Sequence, residues 1–284
     1  MTAHGMEAAT PYLVVAVLLG LLVGSFLNVL IHRLPLMMER AWAKECAALS
    51  DLPEPVHPPL NLLVPRSRCG HCGHQLGWME NIPVLSFLVL RGRCAACGTA
   101  IAWRYPVVEL LTAALFAYCV ARWGTGPQAV LWAAFGCLLL ACAWIDWDTT
   151  YLPDDLTLGL LWLGLVSASL GYSGVRLDEA LWGAVAGYLS LWLVFWMFKL
   201  LTGKDGMGYG DFKLFAALGA WFGWTALVPL IFLASCTGAA VGLVMKSRTA
   251  LREGGVVPFG PFLAGAGFVA MVVEPGYLLS RLGL

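Results

Sequence analysis

Eight apolar runs, cut apart by Gly, Pro or charge, constrain this chain more than any other feature. They fall at roughly 12–31, 106–121, 127–145, 156–172, 180–201, 212–223, 225–245 and 257–273. A helix needs about 20 apolar residues to cross bilayer hydrocarbon, and the backbone of a helix satisfies its own polar groups there. The runs therefore predict an all-α polytopic membrane protein with about eight transmembrane helices. The sixth run is short and passes through Gly223 into the seventh, so a count of seven stays open. Composition agrees, with 60% apolar and 12% charged residues and a mean hydropathy of +0.79, outside the range of ordinary soluble domains. Before the first run stand His4 and Glu7 but no Lys or Arg, and no small-residue cleavage site follows it. It reads as a retained span, not a removed leader.

The net charge of zero says little, because in membrane proteins the placement of Lys and Arg carries the information. With the N-terminus outside, the inner side holds eight between Arg33 and Arg104, three at Lys199, Lys204 and Lys213, and three at Lys246, Arg248 and Arg252. Only Arg122, Arg176 and Arg281 fall outside. That bias puts Asp146, Asp148, Asp154, Asp155 and Asp211 at cytoplasmic helix ends. Residues 1–32 then form the first transmembrane helix, 33–104 a small cytoplasmic insert, and 105–284 the remaining bundle. Pro53, Pro55, Pro58, Pro59 and Pro65 forbid a continuous helix in the first half of the insert. Short helices or interfacial pieces are expected near 36–49 and 81–90.

Within the insert, Cys69-Gly-His-Cys72 and Cys94-Ala-Ala-Cys97 are separated by 21 residues. Two C-x2-C pairs at such a spacing make a tetrahedral zinc site, each pair giving two thiolates. Vacant thiols or another metal are the alternatives. Four thiolates leave no position for a metal-bound water, so the zinc is expected to be structural. His71 and His74 are substitute ligands or solvated side chains, and Cys46 is uncommitted. Cys119, Cys137, Cys142 and Cys236 lie in apolar runs as small packing residues.

Asp146 ends the third apolar run and Asp211 opens the sixth, inside GMGYGDFK. A carboxylate close to hydrocarbon usually faces protein interior or water and marks a working site. Helix packing can bring these two together at one depth. A pair holding one proton between them can drive water onto a peptide bond, one acid as base and the other as proton donor. Gly206, Gly208 and Gly210 would let a substrate backbone come close, with Met207 and Tyr209 beside it or packed away. The plainer reading is a turn whose Asp211 caps the next helix. Asp148 is the weaker partner, Asp154 reads as the N-cap of the fourth helix, and Asp205 as a solvated loop charge. Trp144, Trp147, Trp221 and Trp224 read as interfacial belt residues.

GMGYGDFKL with IDWDTTYLPD upstream resembles the type IV prepilin peptidases, bacterial members of the GxGD membrane aspartyl proteases. GSFLNVLIHRLP at 24–35, PRSRCGHC at 65–72, NIPVLSFLVLRGRC at 81–94 and RYPVVELLT at 104–112 are similar to the family's blocks in the family's order. After Lys246 only VPFGPFLA at 257–264 matches. The resemblance implies a bifunctional enzyme of the bacterial inner membrane. It would cut the basic leader of type IV prepilins and type II secretion pseudopilins at the cytoplasmic face, after a glycine. It would then methylate the new amino terminus with S-adenosylmethionine. Carried over by position, the aspartyl pair is Asp146 and Asp211. The zinc-bearing insert favours the methylating members. Asn28, Arg33, Arg104 and Glu109 are expected to line a methylation or substrate site, or else to clamp the insert to the bundle.

Other classes fit less well. A proton-coupled transporter would hold its acids near mid-membrane in broken helices and show symmetric halves; here the acids sit at helix ends. A zinc-anchored scaffold leaves the GxGD pair unexplained, and within the enzyme class a peptidase without methyl transfer is the runner-up. The expected partners are prepilins, pseudopilins and the lipid bilayer, and no nucleic acid.

Overall fold

Every one of the eight apolar runs is helical in the computed structural model, which describes residues 3–204, 206–248 and 257–273. Asp205, Arg252 and Arg281 lie outside the described residues. The chain divides into two compact units, Met1–Ala129 and Val130–Leu284. The sequence-based boundary at 32/33 falls inside a helix, and the second apolar run belongs to the first unit.

The first unit contains α1 (Ala3–Leu49), α2 (Leu85–Val89) and α3 (Arg104–Trp123). Small residues let α1 and α3 approach closely. A Cβ on Gly20 would lie 2.6 Å from the Ala113 Cα, and one on Gly24 2.7 Å from the Glu109 Cα. Such small-residue seams replace the hydrophobic drive that lipid cannot supply between helices. The opposite face of α1, with Leu18, Leu19, Leu22 and Phe26, is exposed, as a lipid-facing surface requires.

The sequence predicts a break after Ile31, yet α1 continues through Pro35 to Leu49. The stretch after Pro35 is rich in Leu, Met, Glu, Ala and Lys, which are strong helix formers, and the chain turns only at Asp51, where φ is +50. The Pro-rich segment then runs back along this extension. Prolines have no N–H to give, so α1 supplies the donors: Arg40 Nη1 to the Pro58 carbonyl at 2.8 Å, and Arg33 to those of Asn61, Leu62 and Pro65. Further on, a 3-10 turn (Met79–Asn81) and α2 occupy the expected 81–90 region.

The second unit holds α4 (Pro127–Thr149), α5 (Asp154–Ser169), α6 (Leu177–Thr202), α7 (Tyr209–Phe222), α8 (Leu227–Ser247) and α9 (Gly260–Val272). α7 ends at Gly223, with φ +78, so the sixth and seventh runs are separate helices. Among the described residues, five helices are long and apolar enough to cross a membrane. The others, α5, α7 and α9, have only 16, 14 and 13 residues.

For α7 the short length has a physical reason. From Asp211 to Phe222 every residue but Lys213 is buried, so the helix meets protein and not lipid, and an all-round apolar surface belongs inside. Gly183 of α6 and Gly219 of α7 meet backbone to backbone, and a Cβ on either would overlap the other's carbonyl group. On another side Trp221 Nε1 donates to the Leu160 carbonyl at 3.0 Å, with its ring over Gly164. Trp221 is thus a core residue packed on Trp132 and Phe135, not a belt residue; Trp224 is exposed. Cys119 and Cys142 are packed as expected, whereas Cys236 is exposed.

Candidate functional site

Two sites take shape, one in each unit. In the insert, both knuckles have the same local construction. Cys69 N–H donates to the His74 carbonyl and Gly73 N–H to that of Cys69; Cys94 N–H donates to Thr99 and Gly98 N–H to Cys94. An antiparallel bridge closes each loop, Arg68 with Gln75 and Arg93 with Ala100. Gly73 (φ +75) and Gly98 (φ +70) hold the left-handed position that turns each chain back, which glycine takes without strain.

The Sγ atoms of Cys69, Cys72, Cys94 and Cys97 all lie within 4.8 Å of one another, with Cys69 to Cys97 at 3.8 Å and Cys72 to Cys94 at 4.0 Å. A tetrahedron with zinc–sulfur bonds of about 2.3 Å has edges of about 3.8 Å. The four thiols fit the ion. Hydrogen bonds from Thr99 push the Cys97 thiol down to about 6, while Cys72, although the His74 backbone acts to lower it, is pushed up to about 11 by burial and its sister thiols. The histidines stay out. His71 is exposed, and His74 Nε2 meets Glu80 Oε2 at 3.1 Å. Glu80 also accepts the Gly77 N–H at 2.6 Å, and the Gly77 amide and then His74 hold its carboxyl below the usual range.

The second site is built from both ends of the second unit's sequence. Asp146 is in the last turn of α4 and Asp211 in the first turn of α7, and they are 5% and 6% exposed. The frame around them is tight. Asp146 Oδ2 accepts the Gly260 N–H at the start of α9 at 2.9 Å, where a helix N-terminus favours an anion. A Cβ on Gly260 would fall 2.6 Å from that oxygen. Leu152, from the α4–α5 turn, fills the space between: it would meet a Cβ on Gly260 at 3.1 Å and one on Gly210 at 2.6 Å.

The three glycines expected to admit a substrate divide. Gly210 packs on Leu152, and Gly206, although exposed, has the Phe198 ring where a Cβ would lie. Gly208 is exposed, and a Cβ there would touch only Asp211 Oδ2 and the Gly210 amide, at 3.9 and 4.0 Å. It is the open side of the pair. The Tyr209 ring packs tilted against Phe195 and edge-on against Phe212. Asp148 is exposed. Asp154 makes no cap: α5 is N-capped by Pro153 without a side-chain bond, and the Asp154 carboxylate holds Lys213 Nζ at 2.6 Å. Sequence reasoning missed Lys213, Leu152 and Gly260. Only Gly260 left a trace, as a Gly-Pro pair opening an apolar run.

Of the four residues expected near the insert, three hold backbone groups. Glu109 Oε2 accepts the Val84 N–H at 2.7 Å, Asn28 Nδ2 donates to the Tyr105 carbonyl at 3.0 Å, and Arg33 grips the insert carbonyls. Arg104 lies over the Tyr105 ring at 5.4 Å. Asn28 Oδ1 is buried and unbonded.

Apolar helices, two buried acids from distant segments and a four-cysteine cluster define a polytopic membrane protein. Residues 18–123 match the model of the bacterial peptidase A24 N-terminal domain, and 133–243 that of the type IV leader peptidase family. The gap between the two matches contains the division between the compact units. A prepilin leader peptidase/N-methyltransferase of Stutzerimonas stutzeri is 51% identical over 96% of this chain and 95% of its own length. Proteins of the same name from Pseudomonas aeruginosa and Burkholderia pseudomallei are 51% and 50% identical, covering 92% and 93% of this chain and 90% and 86% of theirs. No solved structure matches. The chain belongs to the type IV leader peptidase family.

Proposed function

We propose that this protein is a bifunctional prepilin leader peptidase and N-methyltransferase, with Asp146 and Asp211 as its proteolytic pair. The observation that carries the reading is the burial of two acids, 65 positions apart, in one frame of Gly260, Leu152 and Gly210. One carboxylate, ionised, takes a proton from water as the water oxygen bonds to the scissile carbonyl carbon. Its protonated partner supports the carbonyl oxygen. The amine then leaves with a proton as the C–N bond breaks, and the pair again shares one proton. Gly208 is the edge along which an extended substrate backbone enters.

The Lys and Arg distribution supports an inner-membrane protein with the insert and the acids facing the cytoplasm. Pseudopilins join prepilins as substrates on the family resemblance. Zinc, held by Cys69, Cys72, Cys94 and Cys97, stabilises the insert and takes no part in chemistry. S-adenosylmethionine supplies the methyl group. The region of Asn28, Arg33, Arg104 and Glu109 is our proposed methylation or substrate site; the unbonded Asn28 Oδ1 supports it as an acceptor for an amino group.

Purified protein in detergent with a prepilin precursor tests both activities, mass spectrometry reading the cut and the added methyl group. Asp146→Asn and Asp211→Asn should each lower cleavage by about 10³-fold, within the span of general acid–base catalysis. Undiminished cleavage by either refutes the pair. Glu109→Gln should lose methylation with cleavage intact, whereas loss of folded protein assigns Glu109 to clamping alone.

A further inference from the structure

The buried Arg33 raises a question that neither activity answers. It is 9% exposed, and its hydrogen bonds go to three neutral carbonyls, of Asn61, Leu62 and Pro65, at 2.9, 3.3 and 2.6 Å. No carboxylate among the described residues bonds to it. A charge so withdrawn from water normally has an anionic partner.

Arg33 also lines a cavity of about 500 Å³ within the first unit. Leu22 and Val29 of α1 line it, together with Arg66, Trp78 and Asn81 of the insert. No acid lines it. From Leu22 to Arg33 the helix rises ~16 Å, so the α1 wall runs from apolar side chains to a guanidinium, and Arg66 adds a second cation to the lining. Leu22 belongs to the exposed face of α1, and Trp78 is also exposed, as an aromatic anchor at a membrane interface would be. A methyl donor is a poor occupant, because its sulfonium would face two guanidinium groups with no acid to receive it.

We propose that this cavity is a binding site for an anionic phospholipid. Its phosphate sits between Arg33 and Arg66, and an acyl chain lies along Val29 and Leu22. Arg33 would thus join the lipid headgroup to the loop at Asn61–Pro65, tying the insert to the membrane surface. Arg33 is also one of the four residues of our proposed methylation or substrate site, so the lipid would border that region; the test reads labelling and needs neither activity.

The experiment uses the full protein in phosphatidylcholine vesicles carrying a trace of photoactivatable phosphatidylglycerol, or of the matching photoactivatable phosphatidylcholine, with adducts mapped by mass spectrometry. The expected result is labelling of the α1 peptide containing Leu22 and Val29, or of 62–83, by the anionic probe. The zwitterionic probe should label these peptides much less. Arg66→Gln, at an exposed side chain that anchors nothing, should cut the labelling about fivefold, the weight of one basic residue at an anionic membrane surface. Leu22→Trp, which adds bulk to the α1 lining of the cavity, should cut it similarly. Equal labelling by both probes, unchanged labelling in both variants, or adducts confined elsewhere overturns the proposal. So does complete competition by inorganic phosphate, which would mark a soluble anion's site, or by an acidic precursor peptide, which would mark a substrate's.

Discussion

The cysteine knuckles of the first unit and the aspartate pair of the second solve the same problem, gathering like-charged groups, by opposite means. Each cysteine pair is shaped by five or six neighbouring residues, through its own hydrogen bonds and one glycine at positive φ. The cluster is partly exposed and could hold a cation. The aspartates come from separate helices, are buried, and are held by close packing at Gly210 and Gly260. The lesson is that the first site can be lost without the second, while the second cannot survive disorder in its helices.

Removing metal should break the comparison most visibly. Structural zinc is worth about 10 kcal/mol or more of local folding in small metal-built units. A strong chelator should therefore open residues 66–100 to limited proteolysis while the helices of the second unit stay protected. Loss of protection in both units together would show the knuckles to be no independent element.

Gly260→Ala sharpens the other half. Its Cβ would press within 2.6 Å of Asp146 Oδ2, so the carboxylate must shift or the α9 amide bond must lengthen. Cleavage should fall about tenfold, about 1.4 kcal/mol of transition-state stabilisation, with metal content unchanged. A variant as active as the parent would remove Gly260 from the site's frame.

Lys213→Ala has the smallest expected effect. The ion pair with Asp154 joins α5 to α7 beside Asp211, but the Asp154 side chain is half exposed. Such pairs contribute about 0–1 kcal/mol, so the thermal midpoint should drop by no more than about 4 °C. A larger drop would mean that the pair locks the α5–α7 seam.

Much of this was legible in the residues. Runs of apolar side chains specify helices because a spanning backbone has no other partner for its polar groups, and C-x2-C spacing specifies a knuckle because both ligands share one turn. Local chemistry also decided the helical course beyond Pro35, though the proline disguised it. What the chain's order could not reveal was which glycines are open. Gly206, Gly208 and Gly210 look alike in sequence, and only the packing of Phe198 and Leu152 leaves room for a Cβ at Gly208 and not at the other two.

Composition and short spacing specify the class of protein and two cysteine knuckles that could hold a metal ion, and they pick out the two acids of the proposed pair. Tertiary structure alone decided that Asp146 receives the α9 amide, that Asp154 serves Lys213 and not its own helix end, and that Arg33 is buried without an acid. Those outcomes depend on which helix faces come together. Contact across tens of residues is set by packing, which no local pattern encodes.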